Sequence, residues 1–356
     1  MSAWAMRNGA IGGDEAMTNK ERTKLAISHR ETDIVPYLID FTPPARALLV
    51  RHYGCDDVEA AIGNHVTLIG PPSGKPLYSP PDRFGDEVTD DFGVVWHTSR
   101  YDRGLVKRPA LPEPSLKGYR FPDARRPERY AKVPGLIAKN RDNFIAGVCG
   151  DFFERACFMR GPEELLSDLL LYPRFVEELL DGLLECMFGT GEVLAELPID
   201  AVFVSDDYGH QDRLAMRPEL WRRFIRPRLG AFFAWAKGKG LRTMLHSCGC
   251  IEEIIPDLIE IGLDILHPIQ PETMDIFALK REYGAHITFC GGISTQRLLP
   301  RGTPEEVRAE VLATKRRMAA GGGYILAPAI TIQRDAPLEN LLALIEVAQA
   351  TAGSAG

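Results

Sequence analysis

A chain of 356 residues, 45% hydrophobic and 26% charged, is long enough for two average domains or one large α/β barrel. Its composition excludes disordered, collagen-like and low-complexity proteins, and a formal charge of −7 argues against nucleic acid or an anionic membrane as a partner. Seven cysteines, an odd number with no framework spacing, point to reduced thiols and a cytoplasmic protein.

Residues 1–17 lack the basic start and apolar core of a signal peptide and read as a disordered tail, with Met17 an alternative start. No apolar run approaches the ~18–20 residues that span a bilayer. Thr18-Asn19-Lys20-Glu21 has the form of a capping box, which opens a helix running to about His29. Strand candidates follow at 34–40, 65–69, 143–149, 200–205, 241–246, 264–267, 286–290 and 323–327. They are short, rich in Val, Ile, Leu and Phe, and do not alternate in polarity, as expected of parallel strands covered on both faces. Pro162-Glu163-Glu164, Pro218-Glu219 and Thr303-Pro304-Glu305-Glu306 mark helix starts between them. This alternation predicts a single TIM-type (β/α)8 barrel over residues 18–352, with an N-terminal helical extension. No Gly-x-Gly-x-x-Gly follows an early strand, which disfavours an open dinucleotide-binding sheet. Residues 71–127 are dense in proline and read as an insertion over the barrel mouth, with a small hairpin around Asp91–Trp96.

In such a barrel the C-terminal strand ends converge on one mouth, where chemistry collects. Those ends carry Asp40, Asp151, Asp206-Asp207-Tyr208-Gly209-His210, His246-Ser247-Cys248, His267-Pro268-Ile269-Gln270 and Cys290. In extended backbone, residues two apart point the same way, so the His246 imidazole and Cys248 thiolate can approach one cation. Zinc accepts both donors and its catalytic sites use three protein ligands; Cys290, Asp206 or Asp207 could supply the third. Adjacent carboxylates on a strand face opposite ways, so one of Asp206 and Asp207 should aim into the mouth, as an acid–base group or a grip on a cationic group. His210 is near enough in sequence to shuttle a proton.

The stretches MLHSCGCIEEIIPDLIEIGLDILHPIQP, HITFCGGISTQRLLPRGTPEEV and GGGYILAPAITIQRDAPLEN resemble the uroporphyrinogen decarboxylase superfamily, as do DIVPYLIDF, DDFGVVW and VFVSDDYGHQDRLAMRPELWRRFIRPRL upstream. The resemblance covers nearly the whole chain after residue 18 and implies one (β/α)8 barrel. Where true decarboxylases of porphyrin metabolism carry an Arg-Gln-Ala-Gly-Arg-Tyr motif, this chain has Asp40-Phe41-Thr42-Pro43-Pro44-Ala45-Arg46 and keeps one arginine. The sequence is closer to the cobalamin-dependent methyltransferases, which bind zinc through His-x-Cys on the fifth strand and a later cysteine. His246 and Cys248 match that pair, whereas Ile330 stands at the late position.

The resemblance therefore implies a methyltransferase component moving a methyl group between a small methylated donor and a corrinoid, the latter free or on a carrier protein. Its expected metal set is His246, Cys248 and Cys290, its acid–base groups Asp206 and His210, and its pocket residues Asp40, Asp207, Tyr208, His267 and Gln270. A homodimer is compatible with it; nucleic acid and membrane are not expected partners. The alternatives are a carboxy-lyase of tetrapyrrole metabolism and a barrel that binds a corrinoid or other ligand without catalysis.

Overall fold

The computed structural model describes residues 17–71, 79–100 and 104–351. Its strands are β1 (Val66–Ile69), β2 (Glu87–Thr89), β3 (Val95–His97), β4 (Val106–Arg108), β5 (Phe144–Gly150), β6 (Ala201–Ser205), β7 (Arg242–His246), β8 (Ile265–Ile269), β9 (Thr288–Ile293) and β10 (Tyr324–Pro328). Seven of them pair in the order β1-β5-β6-β7-β8-β9-β10, every pair parallel, and curl into a TIM-type sheet.

Alternation along these strands separates two apolar layers. Val66, Phe144, Ala146, Ala201, Phe203, Met244, Ile265, Cys290, Ile325 and Ala327 form one buried cluster with Leu38, which fills the inside of the curl. Their neighbours Ile145, Val202, Val204, Leu245, Leu266, Phe289 and Leu326 belong to a second cluster shared with the surrounding helices. Both faces are thus dry, which is why the strands read as unbroken apolar runs.

Helices follow the strands at the proline signals. Prolines stand at the starts of Pro162–Leu171, Pro173–Ala195, Pro218–Phe224 and Pro304–Ala319, where a missing N–H costs no hydrogen bond. Thr18 and Thr303 each form a complete capping box, with Glu21 and Glu306. The helix Pro173–Ala195 buries Phe175, Val176, Leu179, Leu180, Leu183 and Met187, a stripe of helical period laid against β5.

The expected first strand, 34–40, is an extended segment rather than a regular strand. It bonds to β10 through Leu326 N–H to Pro36 O (2.8 Å) and Leu38 N–H to Leu326 O (2.9 Å). Toward β1, His65 N–H reaches Tyr37 O at 3.0 Å, and the Asn64 side chain accepts from Ile39 N–H and donates to its carbonyl. A side-chain amide here replaces the backbone ladder, and Pro36 has no N–H to contribute.

Within 71–127, residues 72–78 and 101–103 lie outside the described residues. The remainder holds the antiparallel sheet β2-β3-β4. Trp96 is buried there, its ring 4.8 Å from Phe158 on the helix Phe153–Arg160. Asp90 ties the turn together: it accepts from the Phe92 and Val94 N–H groups, from Trp96 Nε1 and from Arg155 Nη1. One buried carboxylate thus joins the small sheet to the barrel's helical layer.

Candidate functional site

Register places three polar side chains in one row at the C-terminal rim: Ser205 opposite His246, and His246 opposite His267. Cys248 follows two residues beyond His246, and its Sγ lies 3.3 Å from His246 Nε2. Asp207, just past β6, completes the group. Its Oδ1 accepts the Cys248 N–H at 2.8 Å and stands 3.4 Å from His246 Nε2. One ligand atom from each of Asp207, His246 and Cys248 lies within 4.8 Å of the other two.

Local sequence makes this approach possible. Gly209 and Gly249 let the 207–210 and 248–250 loops touch backbone to backbone, and a Cβ on Gly249 would meet the Gly209 carbonyl carbon at 2.4 Å. Gly249 also has φ +84°, a conformation side chains disfavour. His210 O accepts the Cys250 N–H at 2.7 Å, and Gln270 Oε1 accepts the Gly249 N–H.

Electrostatics follow from these contacts. Burial opposes a charge on His246, but its hydrogen bonds to Asp207 and Cys248, and their negative charge, outweigh that and push it up to about 10. His246 Nδ1 lies 3.0 Å from His267 Nδ1. Burial and the neighbouring His246 charge hold His267 well below the usual histidine value, so it stays neutral. A neutral His267 accepting at Nδ1 fixes the His246 ring and leaves Nε2 aimed at Cys248 and Asp207.

The sequence-predicted residues divide. Asp40 is exposed at the rim, held by Thr331 Oγ1 at 3.1 Å, and close enough to feel the His246 charge. Asp207, His246, Cys248 and His267 come together. Cys290 does not join them: it is fully buried among the apolar residues inside the sheet, and burial pushes its thiol up. The residue that stands beside His246 and Cys248 in its place is Asp207.

Asp206 is also displaced from its expected role. Fully buried, it turns toward the segment that follows β5 and accepts the Phe153 and Glu154 N–H groups at 3.0 and 2.6 Å, serving the N-terminus of Phe153–Arg160. Tyr208 is fully buried between Phe153 and Trp221 and lines core rather than pocket. His210 is exposed, its backbone held by Arg213 and Cys250. Gln270 is buried and spent on the Gly249 N–H, a support for the loop.

Beside this group, a cavity of about 290 Å3 opens between the ends of β5 and β6 and the insertion, lined by Ser205, Asp151, Glu154, Arg155, Phe92 and Arg129 among others. Arg155 bonds Asp90 at 2.8 Å and Asp151 at 3.2 Å, and Arg129 bonds Asp91 at 2.8 Å. These arginines and Glu154 were missed from sequence. Asp151 at the end of β5 was the available signal, since Arg155 and Glu154 sit within one helical turn of it.

Comparison with known proteins bears on this geometry. A family model described as uroporphyrinogen decarboxylase (URO-D) matches residues 115–351. The methylcobamide:CoM methyltransferase MtaA of Methanosarcina barkeri is 28% identical over 198 residues, 52% of this chain and 55% of that protein. A methylated-thiol–coenzyme M methyltransferase of Methanosarcina mazei is 23% identical over 199 residues, 56% of this chain and 51% of that protein. The chain thus spans about half the length of the curated relatives it matches. A solved methyltransferase from Methanosarcina mazei superposes with a TM-score of 0.71 at 20% identity, over 93% of this chain and 98% of the other. That likeness is one of fold. With the family model covering well over half of the residues, the chain belongs to the uroporphyrinogen decarboxylase (URO-D) family.

Proposed function

We propose that the protein is a methyltransferase acting between a corrinoid and a small methylated compound, with a zinc ion held by Asp207, His246 and Cys248. The observation that carries this reading is the convergence of one oxygen, one nitrogen and one sulfur donor at the rim of the sheet. That donor set fits zinc, and the partial exposure of His246 (21%) and Asp207 (37%) leaves a side from which substrate can approach. Bound there, the ion would supply Lewis acidity to the heteroatom that carries or receives the methyl group.

The chain's own residues do the positioning. His267 orients His246 through the Nδ1 contact, Asp207 clamps the Cys248 backbone, and Gln270 fixes Gly249, so the three donors are held before substrate arrives. Asp40 extends the acidic rim on the side of β10. In this reading the 35–41 segment serves as the eighth stave of the barrel. A corrinoid, free or on a carrier protein, would approach from the open rim. The relatives named as methylcobamide:CoM and methylated-thiol–coenzyme M methyltransferases support the same chemistry.

A decarboxylase binding a many-carboxylate tetrapyrrole is disfavoured by a specific observation. Arg46, the arginine left near the family's motif, spends its guanidinium on Glu59 and the Asp56 carbonyl, and Arg129 and Arg155 are already paired with acids. No helix among the described residues is long and apolar enough to cross a membrane.

The test combines elemental analysis with turnover. Purified protein should carry near-stoichiometric zinc, lost in His246→Ala and Cys248→Ala, and should methylate reduced cobalamin from a methyl ether, thioether or methylammonium donor. Metal-free protein with an intact fold, or zinc-loaded protein inert toward all three donor classes, refutes it.

A further inference from the structure

The parallel ladder between β6 and β7 changes character at the donor group. Its last backbone rung runs from Asp206 N–H to His246 O, at 2.9 Å. A regular parallel pair would continue with Cys248 N–H on the Asp206 carbonyl and Tyr208 N–H on the Cys248 carbonyl. Both amides turn to side chains instead. Cys248 N–H goes to Asp207 Oδ1 at 2.8 Å, and Tyr208 N–H goes to Ser247 Oγ at 3.0 Å. A carboxylate and a hydroxyl thus replace two rungs at the level where Asp207 faces Cys248.

Ser247 stands between His246 and Cys248, and alternation along the extended chain sends its side chain to the other side. It is fully buried, and its own N–H donates to His267 O at 2.7 Å, which ties it to β8. Its hydroxyl therefore reaches the 206–208 backbone from a fixed place. Asp207 lies between two anchored neighbours. Asp206 is held by the Phe153 and Glu154 N–H groups, and Tyr208 by Ser247. Ring contacts with Phe153 and Trp221 orient Tyr208 toward the helical layer. Its carbonyl accepts the Ala215 N–H at 2.8 Å, a bond within the same loop. Neither of these sets the distance to β7, whereas the Ser247 hydroxyl does.

We infer that Ser247 is a positioning residue of the metal site: by accepting the Tyr208 N–H, it holds the Asp207 carboxylate beside His246 and Cys248. The inference rests on reading Asp207, His246 and Cys248 as zinc ligands, and adds the residue that fixes their spacing. Without the hydroxyl, a buried N–H loses its acceptor, the 207–208 backbone shifts to find another, and Asp207 moves with it.

The experiment is zinc titration of the full-length, metal-stripped protein against a competing chelator, without corrinoid, in the parent, Ser247→Ala, Asp207→Ala and the double variant. Ser247→Ala should raise the zinc Kd about tenfold, the low end of what outer partners of metal ligands cost. In the Asp207→Ala background, where His246 and Cys248 still bind, the same change should move Kd by less than about twofold. A loss of fold rigidity would instead weaken zinc equally in both backgrounds. Titrations are run below each variant's melting range. If Ser247→Ala does not fold, amide exchange of the parent decides: by reciprocity of coupling, zinc should slow exchange of the Tyr208 N–H about tenfold. An unchanged Kd in folded Ser247→Ala, equal losses in the two backgrounds, or Tyr208 exchange indifferent to zinc overturns the inference and leaves the metal site standing. A parent protein that takes up no zinc removes the site, and this inference with it.

Discussion

Asp206 separates a structural from a chemical account of the rim. Its two oxygens accept the first N–H groups of the helix Phe153–Arg160 at 3.0 and 2.6 Å, and no water reaches them, since the residue is fully buried. Helix N-termini leave such donors without intrahelical partners, and an acceptor with carboxylate character also meets the positive end of the helix dipole. Asp206→Ala leaves two buried donors unpaired, a cost of about 2–4 kcal/mol. For a folded domain of this size that corresponds to a fall in Tm of roughly 3–6 °C. The helix also carries Arg155, so the Asp90 and Asp151 contacts should loosen with it. The assay is thermal denaturation by circular dichroism, run beside zinc content and cobalamin methylation below the melting range. The expected outcome is a lowered Tm with bound zinc retained. An Asp206→Ala protein that melts like the parent but has lost turnover would show that the carboxylate works as an acid or base, and would refute the capping argument.

Cys290→Ala should leave zinc content unchanged, whereas Cys248→Ala and Asp207→Ala should lower it; elemental analysis of the three proteins side by side checks this, and zinc lost from Cys290→Ala would restore that cysteine as a ligand. Gly249→Ala forces a side chain onto a backbone at φ +84° and against Gly209, a strain of about 1–3 kcal/mol, so it should lower both Tm and zinc retention. His65 is buried edge-on against Tyr37, and burial depresses its pKa to about 4. Relative to an unfolded value near 6.5, its neutral form stabilises the fold fully above that pH, and the contribution is lost as pH falls toward 4. The loss amounts to about 3 kcal/mol. Denaturant unfolding at pH 7 and pH 4.5 should show a smaller acid-limb loss in His65→Leu than in the parent, and equal losses refute the assignment.

How far the site was legible depends on what each residue's position was fixed by. The His246–Cys248 pairing follows from strand periodicity alone: two residues apart on an extended chain share a side, and the 3.3 Å contact is that rule realised. The same rule required one of Asp206 and Asp207 to leave the mouth. It could not say which, because the answer depends on where the helix Phe153–Arg160 begins, more than fifty residues earlier. Cys290 failed for a related reason. It faces inward, as expected, but at a level filled by Ile325, Met244 and Phe203, and depth along a barrel axis is set by stagger between strands rather than by spacing within one.

Asn64 shows the same limit in the fold. The run 34–40 has the composition of a strand, yet its partner on one side is a side-chain amide, a substitution no hydrophobic pattern encodes. The cavity wall was least visible of all, since Arg155, Asp90 and Arg129 come from a helix, the insertion and the turn just after it, and are brought together by ion pairs with acids far apart in sequence. Such pairs contribute little stability when exposed. Here, partly buried beside Asp151, they hold the insertion against the helix Phe153–Arg160, so the wall of the pocket depends on residues that carry no motif.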